Sequence, residues 1–343
     1  MTQALLVTGG GGVGKTTVSA ALAVRAARRG VRTLVVTVDP ARRLADALGV
    51  ESLGDEPSPH PDEPNLWAAM LDATASWHAI ARRHADPEAA ERLIDNPFFS
   101  AATTHFPASQ SYAAAEEAAT FLDGRAWELV VIDTPPSAGG IEFFTAPAAM
   151  TELVGGRLLR WVTGASIPGR KFFFNRATRP ALRLADNVLG SSLLERIAEF
   201  LMDLRTTYDG VALRSREIEK HMRKATTVVV TTADPSPIRE AVRFFRELPE
   251  VAARPVAVVF NRTLPEAWID ARPGRADGVL ADNLSRWGLE SRRQRDLRVE
   301  FASRYQTEMT EIAWQRHAPT DLDDLDGMIT GAEGFDLENL LVR

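Results

Sequence analysis

One segment near the start of the chain constrains the fold more than any other part of the sequence. Residues 9–16 read Gly-Gly-Gly-Gly-Val-Gly-Lys-Thr and fit G-x-x-x-x-G-K-[ST], in which glycines let successive backbone N–H groups converge on phosphate oxygens. The apolar run 4–8 precedes this segment, and the Ala-rich run 16–29, with helical spacing, follows it. This order predicts a strand, a phosphate-binding loop and a helix whose positive end faces the anion.

The loop carries the side chains that a bound triphosphate requires. We expect Lys15 to bridge the β- and γ-phosphates and the Thr16 hydroxyl to ligate Mg²⁺. The alternative, a flexible glycine turn, leaves the agreement of strand, spacing and helix unexplained. The remaining phosphate contacts are expected from the rest of the segment, namely Gly9, Gly11, Gly12, Val13, Gly14 and Thr17.

Two acidic residues are predicted beside this loop. Asp133 ends the apolar run 129–132, which is typical of a strand buried on both faces, and Asp39 follows the run 32–37. Ligands of open α/β sheets bind at the carboxyl ends of the strands. We therefore expect Asp133 to hold Mg²⁺ through its water shell. Asp39 is expected to orient the attacking water or to join the metal site. Both are catalytic candidates, together with Lys15. The structural alternatives are a simple turn at Asp133 and a helix N-cap at Asp39, for a helix that starts at the next residue.

Strand-like and helix-like segments alternate through most of the chain. A strand, a helix and a strand with short joints form a βαβ unit, which requires a parallel sheet covered by helices. We predict an α/β fold, a P-loop NTPase with a mostly parallel, doubly wound sheet and an α-helical insertion. The expected domains are a first part of the nucleotide-binding core at 1–147, the helical insertion at 148–224 and a second part of the core at 225–343.

Several peripheral segments also carry expectations. The Pro-rich and acidic residues 51–65 predict a solvated surface connection. A long helix is expected at 292–310 and a last strand at 312–316, and Asp86-Pro87 marks a helix start.

Composition excludes several classes of function. The chain contains no cysteine, so disulfides, zinc–thiolate sites and thiol chemistry are excluded. The net charge of -6 provides no overall basic field to hold nucleic acid. The N-terminal residues do not resemble a signal peptide, and no apolar run reaches the roughly 18 residues of a membrane span. We expect a cytoplasmic protein with at most peripheral membrane contact.

The motifs together resemble those of the ArsA-type ATPases, a family that includes the targeting factor for tail-anchored membrane proteins. The likeness rests on residues 9–17, on Asp39 to Asp46 (family form D-P-A-x-x-L-x-D) and on residues 133–137 (family form D-T-A-P-T). After a later strand the family places an adenine-reading Asn, which corresponds here to Asn261, and an amide can pair with both a donor and an acceptor of the base. Arg262 and Pro319 are further candidates for this nucleotide site.

The resemblance implies an Mg²⁺-dependent ATPase, acting as a dimer whose ATP state gates a protein partner or a hydrophobic client. One departure stands out, because the family's first loop lysine, which reaches the partner's nucleotide, is Gly10 in this chain. Three alternatives follow: a paralogous partner carries the lysine, another Arg compensates, or hydrolysis is slow. The alternative function is a hydrolysis-deficient nucleotide sensor in such a heterodimer. Without cysteine, the family's arsenite and zinc sites are not available.

The insertion is where a client would bind. An apolar stripe at helical spacing runs through 193–204 and an apolar cluster lies at 158–162. Both either pack a core or form a groove for a hydrophobic client helix. The aromatic segment 172–174, beside two cations, either anchors a loop or touches a membrane surface.

Overall fold

A nine-stranded sheet organises the computed structural model, which describes residues 2–39, 41–105, 108–135, 138–155, 191–270 and 278–341. The strands follow one another in the order β3-β4-β2-β5-β1-β6-β7-β8-β9. Only the two edge pairs, β3 with β4 and β8 with β9, are antiparallel. In chain order the strands are β1 (Gln3–Gly9), β2 (Thr33–Thr37), β3 (Ser58–His60), β4 (Glu63–Met70), β5 (Leu129–Asp133), β6 (Thr226–Thr231), β7 (Ala257–Thr263), β8 (Glu308–Ala313) and β9 (Glu333–Gly334).

Helices connect most of the parallel strands, as βαβ connections require. Short 3₁₀ helices lie at Glu266–Trp268 and Leu337–Leu340. The described α-helices are α1 (Lys15–Arg28), α2 (Arg43–Leu48), α3 (Ala73–His84), α4 (Pro87–Ile94), α5 (Pro97–His105), α6 (Ser109–Asp123), α7 (Ala138–Gly155), α8 (Ser191–Arg205), α9 (Tyr208–Lys224), α10 (Pro235–Val251), α11 (Gly278–Tyr305) and α12 (Leu322–Thr330). The predicted α/β fold with a mostly parallel sheet is confirmed.

The main core lies around α1 and the central strands. The apolar residues of β1 and β5 are buried almost completely, because each strand has a parallel neighbour on both sides and helices cover the sheet. Much of α1 is alanine, and this helix is buried along most of its length. Small side chains let its backbone approach the sheet closely, which fixes the position of the helix start that follows the glycine loop.

The chain divides into two compact units. One contains the whole sheet and comprises residues 1–71, 118–144 and 221–343. The other comprises 72–117 and 145–220, so it overlaps the insertion expected at 148–224 and also includes a segment that we assigned to the core. The predicted domain limits remain a prediction. Among helices in the described ranges, none combines the length and the apolar character that a bilayer crossing requires.

The second unit has an aromatic interior of its own. The Trp77 ring packs against Phe99 and Tyr112, with ring centroids 6.3 and 5.6 Å away. Phe200, a member of the apolar stripe predicted at 193–204, is buried against Phe98 at 6.2 Å. The cluster at 158–162 and the aromatic segment 172–174 lie outside the described residues.

The structure adds detail to one expectation about the periphery and contradicts another. The connection 51–65 contains β3 and the start of β4, because an antiparallel edge pair forms there; Pro59 is tolerated because an edge strand leaves one side of its backbone unpaired. The last long helix ends at Tyr305 and the strand after it is β8, which begins at Glu308 rather than at 312. Backbone pairing with β7 determines this boundary, and Gln306 adopts a left-handed φ of 47° without the glycine that usually marks a helix end. The helix start at Pro87 is confirmed.

Candidate nucleotide site

The glycine loop joins the central strand β1 to α1 at the carboxyl edge of the sheet. Gly9, Gly12 and Gly14 have positive φ angles of 149°, 74° and 92°, which L-residues rarely adopt. Val13 is buried and anchors the loop in the core. The first turn of α1 closes with a bond of 3.0 Å from the Val18 N–H to the Gly14 carbonyl. The loop therefore has the local geometry of a cradle at a helix N-terminus, which suits an anion.

Lys15 is held inside this loop. Its side chain is buried, and its Nζ donates a hydrogen bond of 2.8 Å to the Gly10 carbonyl. Burial lowers the pKa of Lys15, while the carboxylates of Asp133 and Glu240 oppose that shift. The ammonium is thus kept close to the loop by neighbouring negative charge.

Asp133 lies at the end of β5, beside the loop, as its place in the sequence predicted. Its Oδ2 accepts hydrogen bonds from the hydroxyls of Thr16, at 2.7 Å, and Thr37, at 2.9 Å. Burial raises the pKa of this carboxyl, and the two hydroxyl donors act in the opposite direction. The side chains of Thr16 and Asp133, which we assigned to the metal, are therefore direct neighbours although 117 positions separate them.

Asp39 follows β2 and its carboxylate organises the next turn. Oδ1 accepts from the Ala41 N–H at 2.9 Å, and Oδ2 accepts from the Arg43 guanidinium at 3.1 Å. The structural alternative, a cap on a helix that starts directly after Asp39, is wrong, because α2 begins at Arg43. The carboxylate also attracts the Lys15 ammonium, so Asp39 remains near the loop as a candidate.

The side chains after β7 reach the loop from its other side. The Asn261 Nδ2 donates to the Val13 carbonyl at 2.9 Å, and its Oδ1 accepts the Arg262 N–H at 2.9 Å. Arg262 has a positive φ of 58°, and its guanidinium donates to the Gly12 carbonyl at 3.2 Å. Both residues thus contact the loop directly, whereas Pro319 lies half-buried in the connection between β8 and α12 and its role stays a prediction.

Sequence reasoning missed three polar side chains of the site. Thr37 and Ser19 both face Asp133, the latter with Oγ 3.5 Å from Oδ1. Glu240 on α10 lies against the loop at Gly10. Thr37 and Asp133 are paired in register because β2 and β5 are neighbouring parallel strands. Thr37 was therefore predictable once these two strands were placed side by side. Glu240 belongs to no motif.

This set of groups fits a magnesium nucleotide. A hydroxyl bonded to a carboxylate provides hard oxygen ligands of the kind that Mg²⁺ prefers, and Mg²⁺ usually keeps waters and phosphate oxygens as its other ligands. In the described ranges no group of three or more His, Asp or Glu side chains is arranged to hold a metal by itself. The convergent loop amides and Lys15 would then hold the phosphates.

Comparison with known proteins points in the same direction. Residues 2–274 match the sequence profile of the anion-transporting ATPases of the ArsA type. An uncharacterized protein of Streptomyces coelicolor is 31% identical over 335 residues, which cover 94% of this chain and 74% of that protein. A putative arsenical pump-driving ATPase of Chlorobaculum tepidum is 24% identical over 265 residues, covering 76% of this chain and 61% of the relative. The ATPase GET3 of Malassezia globosa is 24% identical over 260 residues, covering 75% and 71%.

Proposed function

This chain belongs to the ArsA family of anion-transporting ATPases, and from that premise we propose that it binds and hydrolyses ATP with Mg²⁺. One observation carries the proposal, namely the 2.7 Å hydrogen bond between the Thr16 hydroxyl and Asp133 beside the buried Lys15. This arrangement brings together two oxygen groups suited to hold Mg²⁺ and a cation suited to bind phosphate. Few other activities require that combination at the start of a helix.

Each of these side chains has a role in phosphoryl transfer. Bound Mg²⁺ would neutralise part of the phosphate charge, with Thr16 and Asp133 as the residues that hold it. Lys15 leaves the Gly10 carbonyl to bind the β- and γ-phosphates. Asp39 orients the water that attacks the γ-phosphate, a function for which its place at the carboxyl edge of β2 is suited.

The base is proposed to bind near the end of β7. The amide of Asn261 already contacts the loop through Val13, so the same side chain would fix the adenine relative to the phosphates. Arg262 extends this surface at Gly12, and Pro319 is proposed as its outer boundary.

The assembly and its partners are proposed from the family. We propose a cytoplasmic dimer, either of two copies or with a paralogous ATPase, in which the nucleotide state gates a protein partner or a hydrophobic client bound by the helical insertion. Membrane contact would be peripheral, and nucleic acid is not a proposed partner. Names of relatives refer to an arsenical pump and to GET3, but the absence of cysteine excludes arsenite or zinc held by thiolates here.

One feature favours the second candidate, a nucleotide sensor that does not hydrolyse ATP. Gly10 cannot provide the cation that the family's lysine gives to the partner subunit. A heterodimer in which a paralogue supplies that lysine would then contain this chain as its hydrolysis-deficient subunit.

Turnover measurements distinguish the two candidates. The purified chain, Lys15→Ala and the control Lys224→Ala, which changes an exposed lysine on α9, would be assayed for ATP hydrolysis with Mg²⁺. The enzyme requires turnover in the native chain and in the control but not in Lys15→Ala. ATP binding without turnover supports the sensor. If ATP does not bind, both candidates are wrong.

A further inference from the structure

A carboxylate lies where the family's first loop lysine would begin. α10 follows β6, the strand next to β1, so its first turns lie at the same edge of the sheet as the glycine loop. Glu240 lies in the second turn of α10. A Cβ atom built at Gly10 would overlap the Glu240 Oε2 and lie 3.3 Å from its Cδ. The carboxylate therefore occupies the space that any side chain at position 10 would need.

The same carboxylate oxygen lacks a hydrogen-bond partner. Oε2 of Glu240 is buried and accepts no hydrogen bond from the described part of the chain. Arg243, three positions further along the helix, donates instead to Glu247 at 2.8 Å. Burying an ionised oxygen without a donor is costly, so some other charge must compensate.

The loop lysine is a cation on which the charge of Glu240 acts, and it can supply this compensation. The Lys15 Nζ is bound to the carbonyl of Gly10, the residue that Glu240 contacts, and the negative charge of Glu240 attracts this ammonium. Asp133 attracts it too, but its Oδ2 already accepts two hydroxyl hydrogen bonds. The Glu240 Oε2 accepts no hydrogen bond from the described residues, so at this oxygen the attraction of the ammonium is not shared with a hydrogen-bond donor.

We propose that Glu240 is a positioning residue of the nucleotide site, which holds Lys15 at the Gly10 carbonyl in the nucleotide-free chain and competes with the γ-phosphate for it. This inference rests on the proposed ATP binding and deepens it. Glycine at position 10 is what lets the carboxylate approach, so a negative charge takes the place where the family has a positive one. ATP must draw Lys15 away from Glu240, and the affinity for ATP is lower as a result.

The test is a titration of nucleotide in the presence of Mg²⁺. Glu240→Gln keeps the shape of the side chain and removes its charge, so we expect the dissociation constant for ATP to fall about tenfold, which is towards the lower end of what one unit charge exerts across a few ångströms. The constant for ADP, which lacks the γ-phosphate, should fall less. The control Glu250→Gln removes an exposed charge from the same helix, about 15 Å further along, and should leave both constants unchanged.

A double-mutant cycle separates positioning from direct repulsion. In a Lys15→Met background, Glu240→Gln should alter the ATP constant by less than about twofold, because the lysine through which it acts is gone. An equal gain in both backgrounds would mean that the carboxylate repels the phosphates directly, and the positioning role would be refuted. It would also be refuted if folded Glu240→Gln and Glu240→Ala bind ATP no more tightly than the native chain. Failure of the native chain to bind ATP would instead refute the proposed function.

Discussion

The glycine loop offers a comparison of three neighbouring positions that receive the same substitution. Alanine at Gly9 would place a Cβ on the Val230 carbonyl oxygen of β6, and 3.0 Å from the carbon of that carbonyl. The two residues are paired in register within the sheet, so relief requires separating β1 from β6. At Gly10 the obstacle is the end of the Glu240 side chain, which can rotate away, and at Gly12 nothing lies within 4 Å.

These differences give distinct losses of stability. Gly9→Ala combines backbone strain, since φ is 149°, with a steric clash, and each contributes about 1–3 kcal/mol, so we expect a loss of about 4 kcal/mol. Gly12→Ala has only the strain of its φ of 74° and should cost about 1 kcal/mol. Gly10→Ala should cost less than about 1 kcal/mol, because a flexible side chain yields.

Urea unfolding of the nucleotide-free chain, followed by circular dichroism, measures all three losses. Thermal unfolding should agree, with a midpoint on the order of 10 °C lower for Gly9→Ala. The reasoning is refuted if Gly9→Ala is within about 1 kcal/mol of Gly12→Ala, since the clash with Val230 would then have no energetic effect.

Three further predictions concern other parts of the chain. Burial lowers the pKa of His84 below its ordinary value. The stability that the neutral ring confers is therefore fully present above the unfolded pKa of about 6.5 and is lost as the pH falls from there through the lower folded pKa. His84→Gln should reduce the loss of stability between about pH 7.5 and about pH 5.5, measured by urea unfolding at each pH. Glu311→Ala removes the carboxylate that lies 2.7 Å from the fully buried Arg298. The free energy of unfolding, measured in urea, should fall by on the order of 3–5 kcal/mol. The double variant Arg298→Met with Glu311→Leu should recover much of that loss. Asn261→Ala should weaken ATP binding about threefold to tenfold, the value of one hydrogen bond, and should change the binding of inorganic triphosphate less, as measured by calorimetry.

Much of the fold was predictable because its strongest signals are local. The buried runs of β1 and β5 and the loop between β1 and α1 each lie within a few consecutive residues. The proximity of Thr16 to Asp133 then follows from topology, since parallel strands present their carboxyl ends at one edge. The family resemblance rested on the same local blocks, and the match of residues 2–274 to the ArsA profile confirms it.

The elements that the sequence did not predict depend on long-range pairing. Residues 308–310 continue a helical pattern in the sequence, but their backbone pairs with β7 instead. Glu240 is an ordinary charged residue on an amphipathic helix, and it enters the site only because β6 is the neighbour of β1. Neither feature has a local signal strong enough to compete with these tertiary contacts.

The position of β1 between β5 and β6 explains why two carboxylates near Lys15 have different chemical characters. Asp133 approaches from β5 and accepts hydroxyl hydrogen bonds from Thr16 and Thr37, which offset part of the cost of burying its charge and fix the orientation of its carboxylate. Glu240 approaches from the helix after β6 and has a buried oxygen without a donor. Its charge therefore acts on the cations around it, and Lys15 in the loop is one of them. Glycine at position 10, where the family has lysine, thus changes the sign of the charge at this point. Without a side chain at this position, the loop is open to a carboxylate from the neighbouring helix.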